Sequence, residues 1–390
     1  MPMGLGNGRY TVQFALPGFN MAAPRWTIDV MGPPPRASDA SNSSGMLLDS
    51  LNTLRRSLNL TPVTSDSALL AASRMHARYL MKNGFRAPSF HLESAKKPGF
   101  VGVMPWNRDM SLGWPTPDAG EVGMEWSDAS ETATMTQDLV DTVFHRLSLL
   151  SANLTQAGAA LGSGPNGALV MDLGFGYRSN LPQTVVYPYN GQRGVPTGWH
   201  DIESPDPVPN GYGRVFGYPI TLDFPTADTL RDAKISLSRG FLTVPTYFDK
   251  PGRGDMSANQ MALVPRASLR PHAWYTVRAS AQAEFNDGSR RPVRVQWRFR
   301  TGGSDQSLAA TVTSSQTALL AVVRTGSGVP QKNVPLTLFR TGRPMPVKIG
   351  EGATNDNGLW RVSRTKGGSG YYEAVSSSGN RVVFWWGAHG

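Results

Sequence analysis

Apolar and polar positions alternate from residue 9 to residue 30, with Tyr10, Val12, Phe14 and Leu16 on one face and Trp26, Ile28 and Val30 on another. A period of two predicts strands. Two strands without a third are marginal alone, so the N-terminal strand segment, residues 1–31, is expected either to pair with a sandwich, of this chain or of a neighbouring subunit, or to be the end of a further domain. The run MGPPPRASDASNSSG predicts a linker over residues 32–45, because Pro and Ser favour extended, unpacked chain. From Met46 the period becomes helical. Leu47, Leu51, Leu54 and Leu58 form one stripe, with Ser43 or Ser44 as N-cap. A second helix caps on Asp66, turns Leu69, Ala72, His76 and Leu80 inward, and ends at Gly84. Residues 85–130 are rich in Gly, Pro and Trp and predict irregular chain. A third helix is expected from about Ser130 to Leu150, with Met135, Leu139 and Val143 inward, followed by the strand ALVMDLGFG from Ala168. Helices first and strands after predict an α+β layered domain over residues 46–180.

After Ser179 helix signals nearly vanish. YPITLDFP, AKISLSRGFLTVP, MALVP, WYTVRASAQAEF and VRVQWRFRTG are short strands at near-regular spacing, which predicts a β-sandwich over residues 181–303. A boundary follows at TGGSDQS. VPLTLFR, GLWRVSR, YYEAVSS and NRVVFWWG then predict a second all-β sandwich over residues 304–390, with Asn357-Gly358 supplying the positive φ of a tight hairpin.

Composition narrows the chemistry. The chain has 390 residues, a net charge of +10 and no cysteine. Disulfides, thiolate zinc sites and Cys nucleophiles are therefore excluded. The charge surplus is mostly arginine and is scattered through Gly- and Pro-rich stretches. Its densest clusters, Arg290-Arg291 and Arg294 through Arg298 to Arg300, fall on an alternating segment whose outer face is expected to be solvated. Nucleic acid is not the expected partner. Adhesion to acidic polymers is the better use of diffuse positive charge. No apolar run approaches the roughly 18 residues of a membrane span, and no signal peptide is visible in Met1 to Tyr10.

Six histidines are present: His76, His91, His145, His200, His272 and His389. His76 lies on the apolar face of the second helix and reads as a satisfied core residue. SFHLESAKKPGF carries His91 and Glu93, PWNRDMSLGWPTPDAGEVGM carries Arg108 and Glu121, and TVFHRLSLL carries His145 and Arg146. In that order these segments resemble the CAP superfamily of cysteine-rich secretory, antigen 5 and pathogenesis-related 1 proteins, in its bacterial, cysteine-free branch. The opening LLDSLNTLRRSLNLTPV resembles the family's first helix, and ALLAASRMHARYL its second. PGFVGVMPWNR resembles the bacterial "PGFTG..P..R" run, Glu121 stands where the family has the glutamate of "GEN", and His145-Arg146 matches its "HR" pair. The resemblance covers about residues 46 to 178 and implies a three-layer CAP-type fold. Val122 replaces the motif's asparagine, and the second glutamate of the eukaryotic cleft tetrad has no clear equivalent, Asp138 and Asp141 being the nearest acids. The second module is similar to bacterial Ig-like domains and the third to transthyretin-like or invasin-type Ig modules.

Two imidazoles and a carboxylate can hold a divalent metal such as zinc with water as fourth ligand. His91, Glu121 and His145 are thus the candidate metal or catalytic residues. Without metal they form a hydrogen-bonded set with a titrating histidine. Asp141, four residues before His145, can orient that imidazole from one helical turn away. Glu93 and Arg108 either pair to fix the loop or are surface charge. His145 also falls opposite the apolar stripe, where a solvated histidine needs no role. Trp199 and Glu203 read as packing and turn residues, and Arg253-Gly254-Asp255 as a chance match to an adhesion tripeptide. No GxSxG or HExxH is present.

These signals support a secreted or cell-surface bacterial protein with a non-catalytic binding or structural role. Its partner would be a surface polymer, a lipid or another protein, and self-assembly would run through strand addition by the N-terminal strands. The alternative is a metal-dependent or His/Glu hydrolase acting in the CAP cleft.

Overall fold

The computed structural model describes residues 8–13, 25–30, 40–85, 89–127, 132–162, 166–178, 181–314, 317–341, 345–363 and 368–387. The chain divides into two compact units, Met1–Asn42 and Ser43–Gly390. In the first, strands β1 (Gly8–Gln13) and β2 (Arg25–Val30) pair antiparallel, with Gly8 opposite Val30 and Gln13 opposite Arg25. Phe14 and Leu16 lie outside the described residues.

Helix α1 (Ala40–Ser57) begins inside the expected linker rather than at Met46. Once Leu47 and Leu51 are buried, adding turns upstream costs less than nucleating them, and the Ser and Asn residues are carried along. Ser44 therefore does not cap the helix. It lies within it, and its hydroxyl donates to the Ala159 carbonyl at 2.5 Å. After strand β3 (Thr64–Ser65) comes α2 (Ser67–Asn83), started and stopped by the expected residues. The Asp66 carboxylate accepts from the Ala68 and Leu69 amides, and Gly84, at φ +86°, ends the helix.

The Gly/Pro/Trp-rich stretch is more ordered than its composition implies. It holds α3 (Pro105–Ser111), opened by a proline at its first turn, and the nine-residue strand β4 (Ala119–Ser127). The expected third helix is two: α4 (Thr132–Asp141) and α5 (Phe144–Leu149). Strands β5 (Leu154–Gly162) and β6 (Asn166–Phe175) complete a sheet in the order β3-β5-β6-β4, antiparallel except for β3 with β5. One face packs Ala160, Ala168 and Val170 against Ala77 and Leu80 of α2. The other packs Ala159, Leu169 and Met171 among Leu47, Leu51 and Leu139 of α1 and α4. This is a three-layer α+β domain. Helix α2 lies so close to the sheet that a Cβ on Gly158 would sit 2.1 Å from the Leu70 nitrogen.

Ten strands follow: β7 (Val185–Tyr187), β8 (Trp199–His200), β9 (Val215–Phe216), β10 (Ile220–Asp223), β11 (Thr229–Arg239), β12 (Leu242–Thr243), β13 (Thr246–Asp249), β14 (Gln260–Pro265), β15 (Trp274–Glu284) and β16 (Arg290–Arg300). Two antiparallel sheets, β13-β14-β10-β7 and β12-β11-β15-β16, form the first sandwich, and β8-β9 is a separate ribbon. The third module comprises β17 (Gln306–Val312), β18 (Thr317–Arg324), β19 (Pro335–Arg340), β20 (Val347–Ala353), β21 (Leu359–Ser363), β22 (Gly370–Ser376) and β23 (Arg381–Trp386). Its sheets are β17-β18-β21 and β20-β19-β22-β23, closing on a core of Leu320, Leu338, Tyr372, Phe384 and Trp386. Gly358 has the expected positive φ of 71°. Its turn, however, joins β20 to β21, which belong to different sheets, and so closes no hairpin.

The sandwiches interlock with the α+β domain. Arg146 is fully buried, 4.8 Å from the Tyr187 ring centroid and 4.9 Å from that of Tyr218, and donates to the carbonyls of Val140, Asp141 and Pro219. The Ser50 and Thr311 hydroxyls hydrogen-bond at 2.5 Å, tying α1 to β17.

Candidate functional site

His91 lies in a short loop closed by the Ser89–Leu92 bridge, and a buried polar cluster fixes that loop from beneath. Its Nδ1 is 2.8 Å from Glu121 Oε1 on β4. Glu121 Oε2 in turn accepts from Arg108 of α3 at 2.6 Å. Arg108 also donates to the His91 carbonyl at 3.2 Å, so one guanidinium holds both the loop and the carboxylate. His76 is buried with both nitrogens engaged: Nδ1 with Glu93 at 2.9 Å and Nε2 with the Phe90 carbonyl at 2.8 Å. Glu93 accepts further from the Val101 amide. Glu93 and Arg108 are thus buried, not surface charge, and Glu93 serves His76 first, Arg108 Nε being 3.9 Å away.

Burial alone would raise the Glu121 carboxyl. The charge of His76, the hydrogen bond from His91 and the charge of Arg108 outweigh it and hold Glu121 below its ordinary value. An ionised carboxylate only accepts, so Nδ1 of His91 carries the proton of this bond and Nε2 is the ring edge left toward the cleft.

His145 is the second imidazole. The expected orientation by Asp141 does not form, because the helix breaks at Thr142 and Val143 and the four-residue register is lost. Asp141 Oδ1 accepts instead from Tyr218 at 2.7 Å and Gln137 at 2.9 Å. The break is stabilised from another module. The buried Glu203 carboxylate accepts from the Val143 and Phe144 amides at 2.7 Å and from the His145 amide at 3.1 Å, capping α5. The same carboxylate lies 3.1 Å from His145 Nδ1, which is also 2.9 Å from the Thr142 hydroxyl. Burial would raise Glu203, but its bonds with His145 and the α5 amides hold it low. By its sequence context Glu203 is a turn residue. No spacing links it to His145, and only the docking of the first sandwich makes it a partner.

His91 and His145 line one cleft of about 780 Å³. Its wall includes Phe85, Phe90, Met124 and Leu139 from the α+β domain, Ile202 and Tyr212 from the first sandwich, and Gly326 from the second. Neither Nε2 has a hydrogen-bond partner among the described residues. Asp138 also lines the cleft, and the turn after β18 presses against it. A Cβ on Gly328 would stand 2.0 Å from Asp138 Oδ2. Burial and then Asp141 push the Asp138 carboxyl well above its ordinary value. The Arg253-Gly254-Asp255 run is structural. Arg253 contacts the Asp249 carboxylate and the Pro207 carbonyl, while Gly254, at φ +61°, packs on Phe144.

The expected ligand set of His91, Glu121 and His145 does not fit zinc. Glu121 sits behind His91 with its two oxygens taken by His91 and Arg108, as a partner of the imidazole and not a third ligand. Among the described residues no three His, Cys, Asp or Glu side chains are grouped to hold a metal.

Buried carboxyls set an acid-leaning stability. Burial, then Asp206, pushes Asp201 up to about 8, and burial pushes Asp223 up to about 7. Each holds its proton when folded at pH values where the unfolded chain, with an ordinary value of 3.8, has lost it. Their contribution is present below that value and is lost as pH rises toward 7–8. Glu121 and Glu203 act oppositely, contributing above 4.5 and losing that contribution as pH falls through their lowered values. The urea midpoint is therefore expected to peak near pH 5 and to fall steadily toward pH 8.5. A flat profile between those values would contradict this account.

Residues 48–173 match the model of the cysteine-rich secretory protein family, CAP. Among solved structures the chain is similar to an extracellular protein containing an SCP domain from Bacillus anthracis str. Ames, at 16% identity and a TM-score of 0.29, over 40% of this chain and 47% of that one. It is also similar to native alpha-2-macroglobulin from Escherichia coli spanning domains MG0-NIE-MG1, at 12% identity and a TM-score of 0.17, over 43% of this chain and 66% of that one. The first match thus spans about half the length of its relative. No curated protein matches the sequence. Among the described residues no helix is long and apolar enough to cross a membrane. Residues 48–173 of this chain are a CAP domain.

Proposed function

We propose that this CAP-domain chain is an extracellular bacterial binding protein that holds a small ligand in the cleft between its CAP domain and its sandwiches. The observation that carries this reading is the pairing of both cleft imidazoles with buried carboxylates, one of them supplied by a different module. Each imidazole then turns its Nε2 edge, a polar hydrogen-bonding group, into a largely apolar recess, the usual composition of a small-molecule site. The hydroxyl that hydrogen-bonds a cleft imidazole among the described residues is that of Thr142, and it donates to the Leu139 carbonyl.

A His/Glu hydrolase is the second reading, favoured by the same pairs, since an imidazole oriented by a carboxylate can act as a general base on water. Turnover separates the two. Nitrophenyl esters, a fluorogenic peptide library and nitrophenyl glycosides are to be offered to the wild type and to His145→Ala. The binding reading expects no turnover above the buffer rate from either. Hydrolysis by the wild type that drops by orders of magnitude in His145→Ala, with circular dichroism unchanged, would replace it with the hydrolase.

A further inference from the structure

The outer face of the β11-β15-β16 sheet points to a second binding surface. We propose that it binds an acidic polysaccharide lying along the strands. Strand register places Lys234 of β11 in line with Ser280 of β15 and Arg294 of β16. Arg278 falls opposite Gln296, and Arg298 and Arg300 fall opposite Thr276 and Trp274. The inward residues of the same strands, Tyr275, Val277, Trp297 and Phe299, are buried, so this set faces solvent.

In register on this face lies the Glu284 carboxylate, which Arg231 and Arg290 already occupy at 2.7 and 2.5 Å, and the exposed Asp232 in the β11 bulge adds its charge beside Arg231. Lys234, Arg278, Arg294, Arg298 and Arg300 have no acidic partner among the described residues. Arg278 has Lys234, Arg294 and Arg298 at diagonal positions across the strands, so the register gathers positive charge on one patch. Protection of a sheet edge does not explain the Arg298–Arg300 end of the face. At the Arg298–Arg300 end, β16 is already paired with residues 191–195 through the Gly191, Arg300 and Val195 amides.

A linear polyanion supplies what the face lacks. At about 3.4 Å per residue, Arg294 to Arg300 spans about 20 Å, with a neighbouring row about 5 Å away. Between the cations lie Ser236, Ser238, Thr276, Ser280 and Gln282, hydroxyl and amide groups suited to sugar hydroxyls. Single-stranded nucleic acid would need aromatic platforms. The one aromatic on the face, Trp274, has Arg298 at 4.8 Å and Arg193 at 5.7 Å over its ring, so stacking is already taken.

This surface is separate from the cleft, and its test does not depend on what the cleft holds. Binding of the full chain to polygalacturonate is to be measured by biolayer interferometry at 50 and 300 mM salt. Dextran, oligo-dT and phosphatidylglycerol vesicles serve as the other arms. Polygalacturonate binding is expected to weaken with salt, and dextran binding to be absent. Arg278→Gln/Arg294→Gln/Arg298→Gln should lower affinity at least tenfold with an unchanged thermal transition. Lys332→Gln/Lys348→Gln/Arg361→Gln removes the same charge from exposed sites on the third module and should change it less than twofold. Equal losses in both variants would mean diffuse charge and overturn the proposal. So would tighter binding to oligo-dT or vesicles at matched salt, or no binding to polygalacturonate.

Discussion

Glu203→Ala is expected to destabilise the chain by about 3–5 kcal/mol, the usual cost of removing one partner from a buried charged pair. The loss has two sources. The Val143, Phe144 and His145 amides at the start of α5 lose their acceptor, and a buried donor left unpaired costs about 1–3 kcal/mol. The His145 imidazole also loses the carboxylate 3.1 Å from its Nδ1. Glu203→Gln keeps the shape and one acceptor oxygen and should recover part of the loss. Urea unfolding of the two variants measures both, and the His145 ring signals in NMR should shift in each. A cost for Glu203→Ala below about 1 kcal/mol would mean that water replaces the carboxylate and that the first sandwich does not hold His145.

Arg108→Met should be about as damaging, at about 3–5 kcal/mol, and for a related reason. The side chain is fully buried and ends 2.6 Å from Glu121, with the His91 carbonyl also within its reach. Methionine fills much of the volume but leaves Glu121 near Asp172 and Asp109. Burial raises both of those carboxyls, and the charge of Glu121 raises each of them further. The remaining counter-charge comes from histidine. Since protonation relieves a cluster of acids, the variant should lose more at pH 8 than at pH 5, relative to wild type at each pH. Urea midpoints at the two values test this, and an equal loss at both would argue that Arg108 acts through packing alone.

Both substitutions probe parts of the site that differ in how far the sequence disclosed them. Local patterning is read by neighbours within a few residues, so the Asp66 cap, the Gly84 stop and the inward face of α2 follow from the sequence. The alternation of β15 and β16 likewise places Val277 and Phe299 inside and Arg278 and Arg298 outside without further information. The order of His91, Glu121 and His145 within a CAP-like run of motifs also stood in the chain itself.

What tertiary structure alone decided are contacts between residues far apart in sequence. The break between α4 and α5 has no proline or glycine to announce it. It exists because Glu203, beyond the CAP domain, satisfies the amides that the break exposes, and the same event turns Asp141 away from His145 toward Tyr218. Arg108 and Glu93 look like loop charges when only their neighbours are read, and they are buried because α2, α3 and β4 converge on His76 and Glu121. The basic face is legible as scattered arginines, but its clustering depends on strand register, which sets Arg278 among Lys234, Arg294 and Arg298. Periodicity fixes which side of an element a residue takes. Which partner it meets there is settled by packing between segments, whose free energy no short window of sequence contains.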